Sequence, residues 1–263
     1  MHLTTTKIAE LEWGNYAATL PSAQLTPGLD VELRDAVILT SSTIFPTPDA
    51  NHAALLRATP QTVEALLTEI TAHYTSRGMP STIYLSPACT PGDLPERLIA
   101  RGFVKGEQAE AWMVLDLTNR EIPALAPKIP IRQITPAEVN TFAELFLRAF
   151  EMPLEFAPAM AQLLKPSVGL PGVHHYLAYH NAEPVGTLSL LCYRTLGILG
   201  SAGVLSMRRG TLTARNLVRQ AIQDARRVGV DKLLLQTTAD THLERFLRIC
   251  GFQRAFVREC YTL

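Results

Sequence analysis

The chain has 263 residues, of which 47% are apolar and 18% are charged. This composition fits one large or two smaller globular domains and excludes an intrinsically disordered chain. The formal net charge is +0, so the basic excess typical of nucleic-acid-binding proteins is missing and no nucleic-acid partner is predicted. The N-terminus lacks a signal-peptide pattern, and no apolar run approaches the roughly 20 residues of a membrane-spanning helix. These features predict a cytoplasmic protein without a membrane partner.

The cysteines and histidines do not form a metal-binding pattern. No C-x-x-C pair occurs, which favours free, buried thiols over zinc or disulfides. The four cysteines are Cys89, Cys192, Cys250 and Cys260. The adjacent His174 and His175 have no carboxylate or cysteine at ligand spacing. No metal is therefore predicted.

The first half of the chain contains two early strands followed by a helix, strand, helix and strand. VELRD and AVILTSS are the strand-like segments. Residues 61–78 then place apolar side chains at helical spacing and end at Gly78, which suits a left-handed C-cap. The apolar run TIYLS predicts a buried strand. A second helix ends at Gly102-Phe103, and a last strand follows it.

A proline-rich segment divides the chain. TNREIPALAPKIP predicts a linker at residues 119–130. The linker separates a first predicted domain, residues 1–118, from a second one, residues 131–263.

The second domain begins with antiparallel-looking strands. The strand-like IRQI precedes a predicted helix over residues 137–150. Residues 175–191 predict a hairpin with its turn at residues 181–184, and residues 198–206 predict a further strand.

The end of the second domain repeats the order seen at the end of the first. A helix over residues 213–229, the apolar strand KLLLQ, a second helix, a Gly-Phe pair and a last strand follow one another. Gly229 and Gly251 stand where Gly78 and Gly102 stand in the first copy, at nearly equal spacing. The repeat predicts two related α/β domains in tandem.

A basic turn, MRRG, precedes the helix of the second copy, which begins near Thr211 or Thr213. The free amides and the dipole of a helix N-terminus form an anion site, which Arg208 and Arg209 strengthen. A pyrophosphate fits such a site. A solvated basic turn that only caps the helix fits the same residues equally well.

From Ile131 to Leu263, about half the chain, the order of elements resembles the GNAT superfamily of acyl-CoA-dependent N-acetyltransferases. The family motif, Arg/Gln-x-x-Gly-x-Gly/Ala, stands between the fourth strand and the next helix. The matching frame is Arg209-Gly210-Thr211-Leu212-Thr213-Ala214, in which Leu212 replaces the first motif glycine. The first half resembles a degenerate copy without the motif, which is expected not to bind CoA. The resemblance implies an α/β fold of two tandem GNAT-like domains, each a mixed, mostly antiparallel sheet flanked by helices.

The resemblance also implies acetyl-CoA as co-substrate. Pantetheine is expected along Gly203, Val204 and Leu205. The pyrophosphate is expected at the basic turn and the helix start, which comprise Arg208, Arg209, Gly210, Thr211, Leu212, Thr213 and Ala214. Leu212 adds a side chain where the backbone must approach phosphate. A helical first turn accepts such a leucine when its side chain points inward.

In this family the acceptor amine attacks the thioester directly, and a strand amide polarises the carbonyl. That amide is expected near Val204 or Leu205. The strand carries no carboxylate base, so Ser201 is the candidate that orders a water, unless it is an inert strand serine. Many relatives place a tyrosine general acid where this chain has Leu247, which cannot donate a proton.

The acceptor side is expected around EMPLEF, where Glu151 and Glu155 either attract a cationic amine or are solvated surface carboxylates. The predicted function is acetyl transfer to a primary amine of a small molecule or peptide. The alternatives are a non-catalytic CoA- or acyl-CoA-binding regulatory module and a structural or partner-binding protein without the ligand. A monomer or homodimer is predicted.

Overall fold

The computed structural model describes residues 3–118 and 129–263, so the predicted linker at 119–130 lies mostly outside the described residues. The chain divides into two compact units. Unit 1 comprises Met1–Val114 with Gln236–Leu263, and unit 2 comprises Leu115–Leu235. The units therefore follow a different division from the predicted sequence domains, because the last helix and strand of the second copy belong to unit 1. The boundaries at 118 and 131 stay a prediction about the sequence repeat.

Unit 1 is a mixed sheet with helices. Its helices are α1 (Thr5–Ala17), α2 (Leu20–Ala23), α3 (Val63–Thr75), α4 (Leu94–Ala100) and, from the end of the chain, α8 (His242–Ile249). Its strands are β1 (Leu29–Leu33), β2 (Ile38–Ser42), β3 (His52–Ala54), β4 (Thr82–Leu85), β5 (Val104–Lys105), β6 (Glu110–Asp116) and β12 (Gln253–Thr262). The strand order is β1-β2-β3-β4-β12-β6, and β5 pairs with β12. β3 and β4 pair in parallel, and the other pairs are antiparallel.

The last strand of the chain lies inside the sheet of unit 1, where β12 pairs with both β4 and β6. Its Arg258 is only 4% exposed. The guanidinium donates to Glu110 Oε2 at 2.8 Å and to the Tyr16 hydroxyl at 2.6 Å, and it lies 4.5 Å from the centre of the Tyr84 ring. A buried guanidinium requires such partners because an unpaired buried charge is strongly destabilising. These contacts fix β12 to α1 and β6.

Unit 2 contains the other elements. Its helices are α5 (Val139–Ala149), α6 (Ala157–Leu164) and α7 (Thr213–Arg227). Its strands are β7 (Ile131–Gln133), β8 (Val173–His180), β9 (Glu183–Tyr193), β10 (Leu196–Val204) and β11 (Lys232–Thr238), the last of which continues into unit 1. The strand order is β11-β10-β9-β8-β7. β10 and β11 pair in parallel, and the other pairs are antiparallel.

Helical periodicity explains the cores of both units. Along α3 the apolar positions Val63, Leu67 and Ile70 are buried in the core of unit 1. Along α7 the buried positions Leu217, Ala221 and Ala225 also repeat at helical spacing. The predicted fold class, a mixed and mostly antiparallel sheet flanked by helices, is confirmed in each unit.

None of the helices in residues 3–118 and 129–263 combines the length and apolar character that a membrane crossing requires. In the same residues, no three histidine, cysteine or acidic side chains are grouped as a metal site would need. None of the four cysteines forms a disulfide within the described residues, and all four are half-buried.

Candidate active site

Strands β10 and β11 pair over only part of their length. The register joins Leu196–Ile198 to residues 232–234, although β10 continues to Val204. Beyond Ile198, therefore, the edge of β10 that faces away from β9 has no further pair with β11 among the described residues. Backbone N–H and C=O groups on this edge are free to bind an extended ligand.

A β-bulge reshapes β10 within this open stretch. The register with β9 shifts between Gly200 and Gly203, and Ser201 adopts a φ of 46°. The Thr187 hydroxyl donates to the Ser201 carbonyl at 2.7 Å. A bulge of this kind turns the backbone and redirects its polar groups. The Ser201 hydroxyl makes no hydrogen bond within the described residues, and its role with a water stays a prediction.

The two candidate polarising amides have different surroundings. The Leu205 amide donates to the Val185 carbonyl of β9 at 3.1 Å, and its side chain packs against the core formed by α5 and α6. Because successive amides of a strand point to opposite edges, the Val204 amide faces the open edge of β10. The Leu205 amide is thus occupied by the protein's own carbonyl, which leaves Val204 as the candidate donor.

Several amides between β10 and α7 have no partner. A short 3₁₀ turn at Ser206–Arg208 is followed by the start of α7 at Thr213. Within the described residues, no acceptor is found for the backbone amides of Gly210, Leu212 or Ala214. Gly210 adopts a φ of 78° and has open space on its Cα. These amides and the dipole of a 15-residue helix form an anion-binding geometry.

The two threonines of the motif have local roles. Thr211 donates its hydroxyl to the Arg208 carbonyl at 2.7 Å and accepts from the Thr213 amide at 3.3 Å. Thr213 is buried, and a Cβ atom placed on Gly186 of β9 would lie 3.1 Å from its methyl group. Thr211 therefore caps one first-turn amide, and Thr213 packs the helix start against the sheet.

Leu212 does not point into the core. Its exposed fraction is 44%, so the inward orientation considered from the sequence is wrong. The side chain lies at the surface, next to the amides that have no partner. The free amides nevertheless remain unoccupied by protein groups.

The two arginines of the turn differ in their contacts. Nη2 of Arg209 donates to the Ala149 carbonyl at 2.6 Å, and Nη1 lies 3.2 Å from Glu151 Oε1. The buried Nε of Arg208 has no hydrogen-bond partner in the part of the chain that the structure describes. Arg208 thus forms no side-chain hydrogen bond or ion pair within the described residues, whereas Arg209 is engaged with the end of α5.

The structure brings one of the two predicted acceptor carboxylates to the turn. Glu151 pairs with Arg209, whereas Glu155 is exposed and forms no ion pair within the described residues. Neither residue lies on β10. Both follow α5, the helix whose end contacts this strand.

Sequence reasoning missed the contact between α5 and β10. A Cβ atom placed on Gly203 would lie 2.7 Å from the Ala149 Cβ and 3.1 Å from Cε2 of the Phe150 ring. Gly203 therefore permits the end of α5 to approach the strand just after the bulge. A glycine inside a predicted strand is a signal of close approach and could have identified this contact.

Leu247, which the resemblance places where many relatives have a tyrosine general acid, is buried in unit 1. Its aliphatic side chain supplies no proton there.

The histidines of β8 are not part of the open edge. His175 is buried, with Nε2 2.8 Å from the Ser167 hydroxyl and Nδ1 2.7 Å from the Ser189 hydroxyl. Burial lowers the pKa of His175 to about 4, because the apolar surroundings disfavour the imidazolium. His175 is thus a neutral hydrogen-bonded core residue.

Comparisons with known proteins show which family and which solved structures the chain is similar to. Residues 139–252 match the family model described as "Acetyltransferase (GNAT) family". No curated protein matches the chain.

Three solved structures are similar over most of the chain. A GCN5-related N-acetyltransferase from Kribbella flavida is 16% identical, with a TM-score of 0.66 and coverage of 94% of this chain and 95% of that one. A GCN5-related N-acetyltransferase from Sphaerobacter thermophilus is 15% identical, with a TM-score of 0.65 and coverage of 88% and 81%. A tandem GNAT protein from the clavulanic acid biosynthesis pathway is 16% identical, with a TM-score of 0.63 and coverage of 97% and 93%. The chain therefore has the GNAT fold, and its residues 139–252 match the model of the GNAT acetyltransferase family.

Proposed function

We propose that this protein is an acetyl-CoA-dependent N-acetyltransferase that transfers the acetyl group to a primary amine of a small molecule or a peptide. The observation that carries the proposal is the set of amides of Gly210, Leu212 and Ala214, which have no acceptor within the described residues and follow the open edge of β10 in the chain. The family match of residues 139–252 supports the same reading.

The motif region suits a diphosphate. The amides of Gly210, Leu212 and Ala214 offer three donors, and the open space at Gly210 allows a phosphate to approach the backbone. Arg208 adds a positive charge beside these donors. We propose this region as the cofactor site, with pantetheine along Gly203 to Leu205.

Val204 is our proposed donor to the thioester carbonyl. Its amide faces the open edge, where a hydrogen bond strengthens as negative charge develops on the carbonyl oxygen. The amine nitrogen forms a bond to the carbonyl carbon, the carbon–sulfur bond breaks, and the CoA thiolate leaves. Holding both reactants in this geometry contributes on the order of 7–11 kcal/mol to lowering the barrier.

No carboxylate on β10 accepts the proton that the amine loses. The Ser201 hydroxyl, free of partners within the described residues, is the group that we propose orders a water to receive it. On the acceptor side, we propose that Glu155, an exposed carboxylate without an ion pair within the described residues, attracts a cationic amine before the amine is deprotonated.

A second candidate function is a non-catalytic CoA- or acyl-CoA-binding regulatory module. Leu247 and the lack of a carboxylate on β10 favour it. Both candidates require CoA binding, and only the first requires turnover.

Calorimetry with acetyl-CoA tests binding. In Gly210→Asp the carboxylate opposes the diphosphate, so we expect at least about a tenfold loss of acetyl-CoA affinity, or about 1.4 kcal/mol. Gly210→Asn is the matched control, because asparagine has the same shape and also tolerates positive φ but carries no charge. Equal affinity in all three proteins would place the cofactor elsewhere, and no binding by the wild type would refute both candidates.

Turnover separates the two candidates. Thiol release from acetyl-CoA across a panel of primary amines is expected for the transferase. Binding without release on any amine would favour the regulatory module.

A further inference from the structure

The end of α5 has a backbone conformation that glycine usually supplies. The Met152 amide donates to the Leu147 carbonyl at 2.9 Å, and the Glu151 amide donates to the Arg148 carbonyl at 3.2 Å. This is the Schellman pattern, with Glu151 in the left-handed position at a φ of 57°. A glutamate there is conformationally unfavourable compared with glycine. Such a departure from the residue preferred at this position indicates that the Glu151 side chain has a specific role.

The Glu151 side chain contacts Arg209, which also binds the end of α5. The Ala149 carbonyl belongs to the last turn of α5, whose carbonyls lack helical partners, and Arg209 Nη2 donates to it at 2.6 Å. Nη1 of the same guanidinium pairs with Glu151 at 3.2 Å. A cation at a helix C-terminus also interacts favourably with the helix dipole. One side chain thus fastens the end of α5 to the turn before α7.

The fastened segment contacts the strand that we propose holds the thioester. The Phe150 ring lies against Gly203, next to Val204, and packs on Phe146 with ring centroids 4.7 Å apart and ring planes tilted by 40°. Phe150 is nevertheless 51% exposed. The ring is therefore an exposed wall beside the open edge of β10.

We propose that Arg209 is a positioning residue for the acceptor side and not a ligand of the diphosphate, although it stands at the basic position of the motif. It holds Phe150 and Glu151 in place through the Ala149 carbonyl and the Glu151 carboxylate. Arg208, whose Nε has no partner within the described residues, is the guanidinium left for the anion. This inference rests on the proposed function for the identity of the cofactor.

The proposal predicts coupling between the two sides of the site. An anion bound at residues 210–214 orders the turn that carries Arg209, and Arg209 transmits that order to residues 147–156. Acetyl-CoA is therefore expected to slow hydrogen exchange in residues 147–156 of the wild type. In Arg209→Gln this effect is lost, while acetyl-CoA affinity stays within about threefold of the wild type, a difference of about 0.65 kcal/mol.

Backbone hydrogen exchange measured without ligand tests whether Arg209 holds the end of α5 in place. Arg209→Gln is expected to accelerate exchange in residues 147–156 about tenfold, because a charged hydrogen bond and an ion pair are lost. Arg208→Gln is the matched control, with the same change one residue earlier, and is expected to leave exchange there unchanged. This comparison holds even if the wild type fails to bind acetyl-CoA, so it separates this inference from the proposed function.

Glu151→Gly tests whether Glu151 affects binding of the amine as well as the stability of the fold. Glycine suits the left-handed position, so the thermal stability is expected to be unchanged or higher. With an amine that the wild type acetylates, we expect the KM for the amine to rise about fivefold and the KM for acetyl-CoA to stay constant. Glu144→Gln, at an exposed carboxylate of α5 that forms no ion pair within the described residues, serves as the control for the loss of one carboxylate without loss of the Arg209 pair.

Two results would overturn the proposal. The first is an Arg209→Gln protein that loses tenfold or more of its acetyl-CoA affinity while exchange in residues 147–156 matches the wild type. The second is a Glu151→Gly protein with an unchanged KM for the amine.

Discussion

Gly203→Ala tests the contact between α5 and β10 on steric grounds alone. The added Cβ would meet the Ala149 Cβ at 2.7 Å and the Phe150 ring at 3.1 Å, both shorter than carbon–carbon van der Waals contact. The end of α5 must therefore shift or the strand must bend. Overpacking of this kind costs typically about 1–3 kcal/mol, and we expect a loss of that size in the free energy of unfolding.

Gly200→Ala is the matched control, three residues earlier on the same strand. A Cβ atom there has no neighbour within 4 Å, so the free energy of unfolding is expected to change by less than about 0.5 kcal/mol or to rise slightly. Urea unfolding followed by circular dichroism measures both variants. Equal stability of Gly203→Ala and Gly200→Ala would refute the close approach of α5, and with it the position given to Phe150.

Three further predictions concern buried polar groups. His175 has a folded pKa of about 4 against 6.5 for the free side chain, so the unfolded chain takes up the proton first as pH falls. The free energy of unfolding of the wild type should therefore drop by up to about 3 kcal/mol between pH 6.5 and 4. Urea unfolding measured across this pH range should show a smaller drop in His175→Gln. Arg258→Leu strands Glu12 and Glu110 without their guanidinium and should lower the free energy of unfolding by about 3–5 kcal/mol. Thr187→Val removes the hydrogen bond to the bulge at Ser201 and should cost about 1 kcal/mol in the same assay.

The order of elements could be predicted because its signals are local. Gly78, Gly102, Gly229 and Gly251 all adopt positive φ, as expected for glycines that end helices. The start of α7 at Thr213 likewise follows from the apolar spacing of the residues after it. Such features depend on a few neighbouring residues, which the sequence displays directly.

The partners of β12 could not be predicted in this way. Periodicity shows that a strand is present but not which strands flank it, since pairing joins residues far apart in the chain. Arg258 is one of three charged residues of β12, and its partners Tyr16 and Glu110 lie 242 and 148 positions away. The predicted second domain, residues 131–263, includes β12, whereas β12 lies in unit 1.

Within the site, too, the sequence could not show which strand edge each backbone amide faces. The motif located the amides of residues 210–214, but the choice between Val204 and Leu205 depends on which edge of β10 faces β9. The register with β9 decides it, because the Leu205 amide reaches the Val185 carbonyl and the alternation of strand amides then turns Val204 outward.

Glu151 shows how a local departure from the usual sequence pattern can carry functional information. A helix that ends in a Schellman motif favours glycine at the left-handed position, and glutamate occurs there at a φ of 57°. If the position served the backbone alone, glycine would be the better residue. The glutamate instead gains an ion pair with Arg209, a pair between exposed side chains that stabilises the fold by at most about 1 kcal/mol. So small a gain barely offsets the backbone strain, so a stabilising effect explains the glutamate poorly. Positioning of the end of α5 beside the open edge of β10 explains it better.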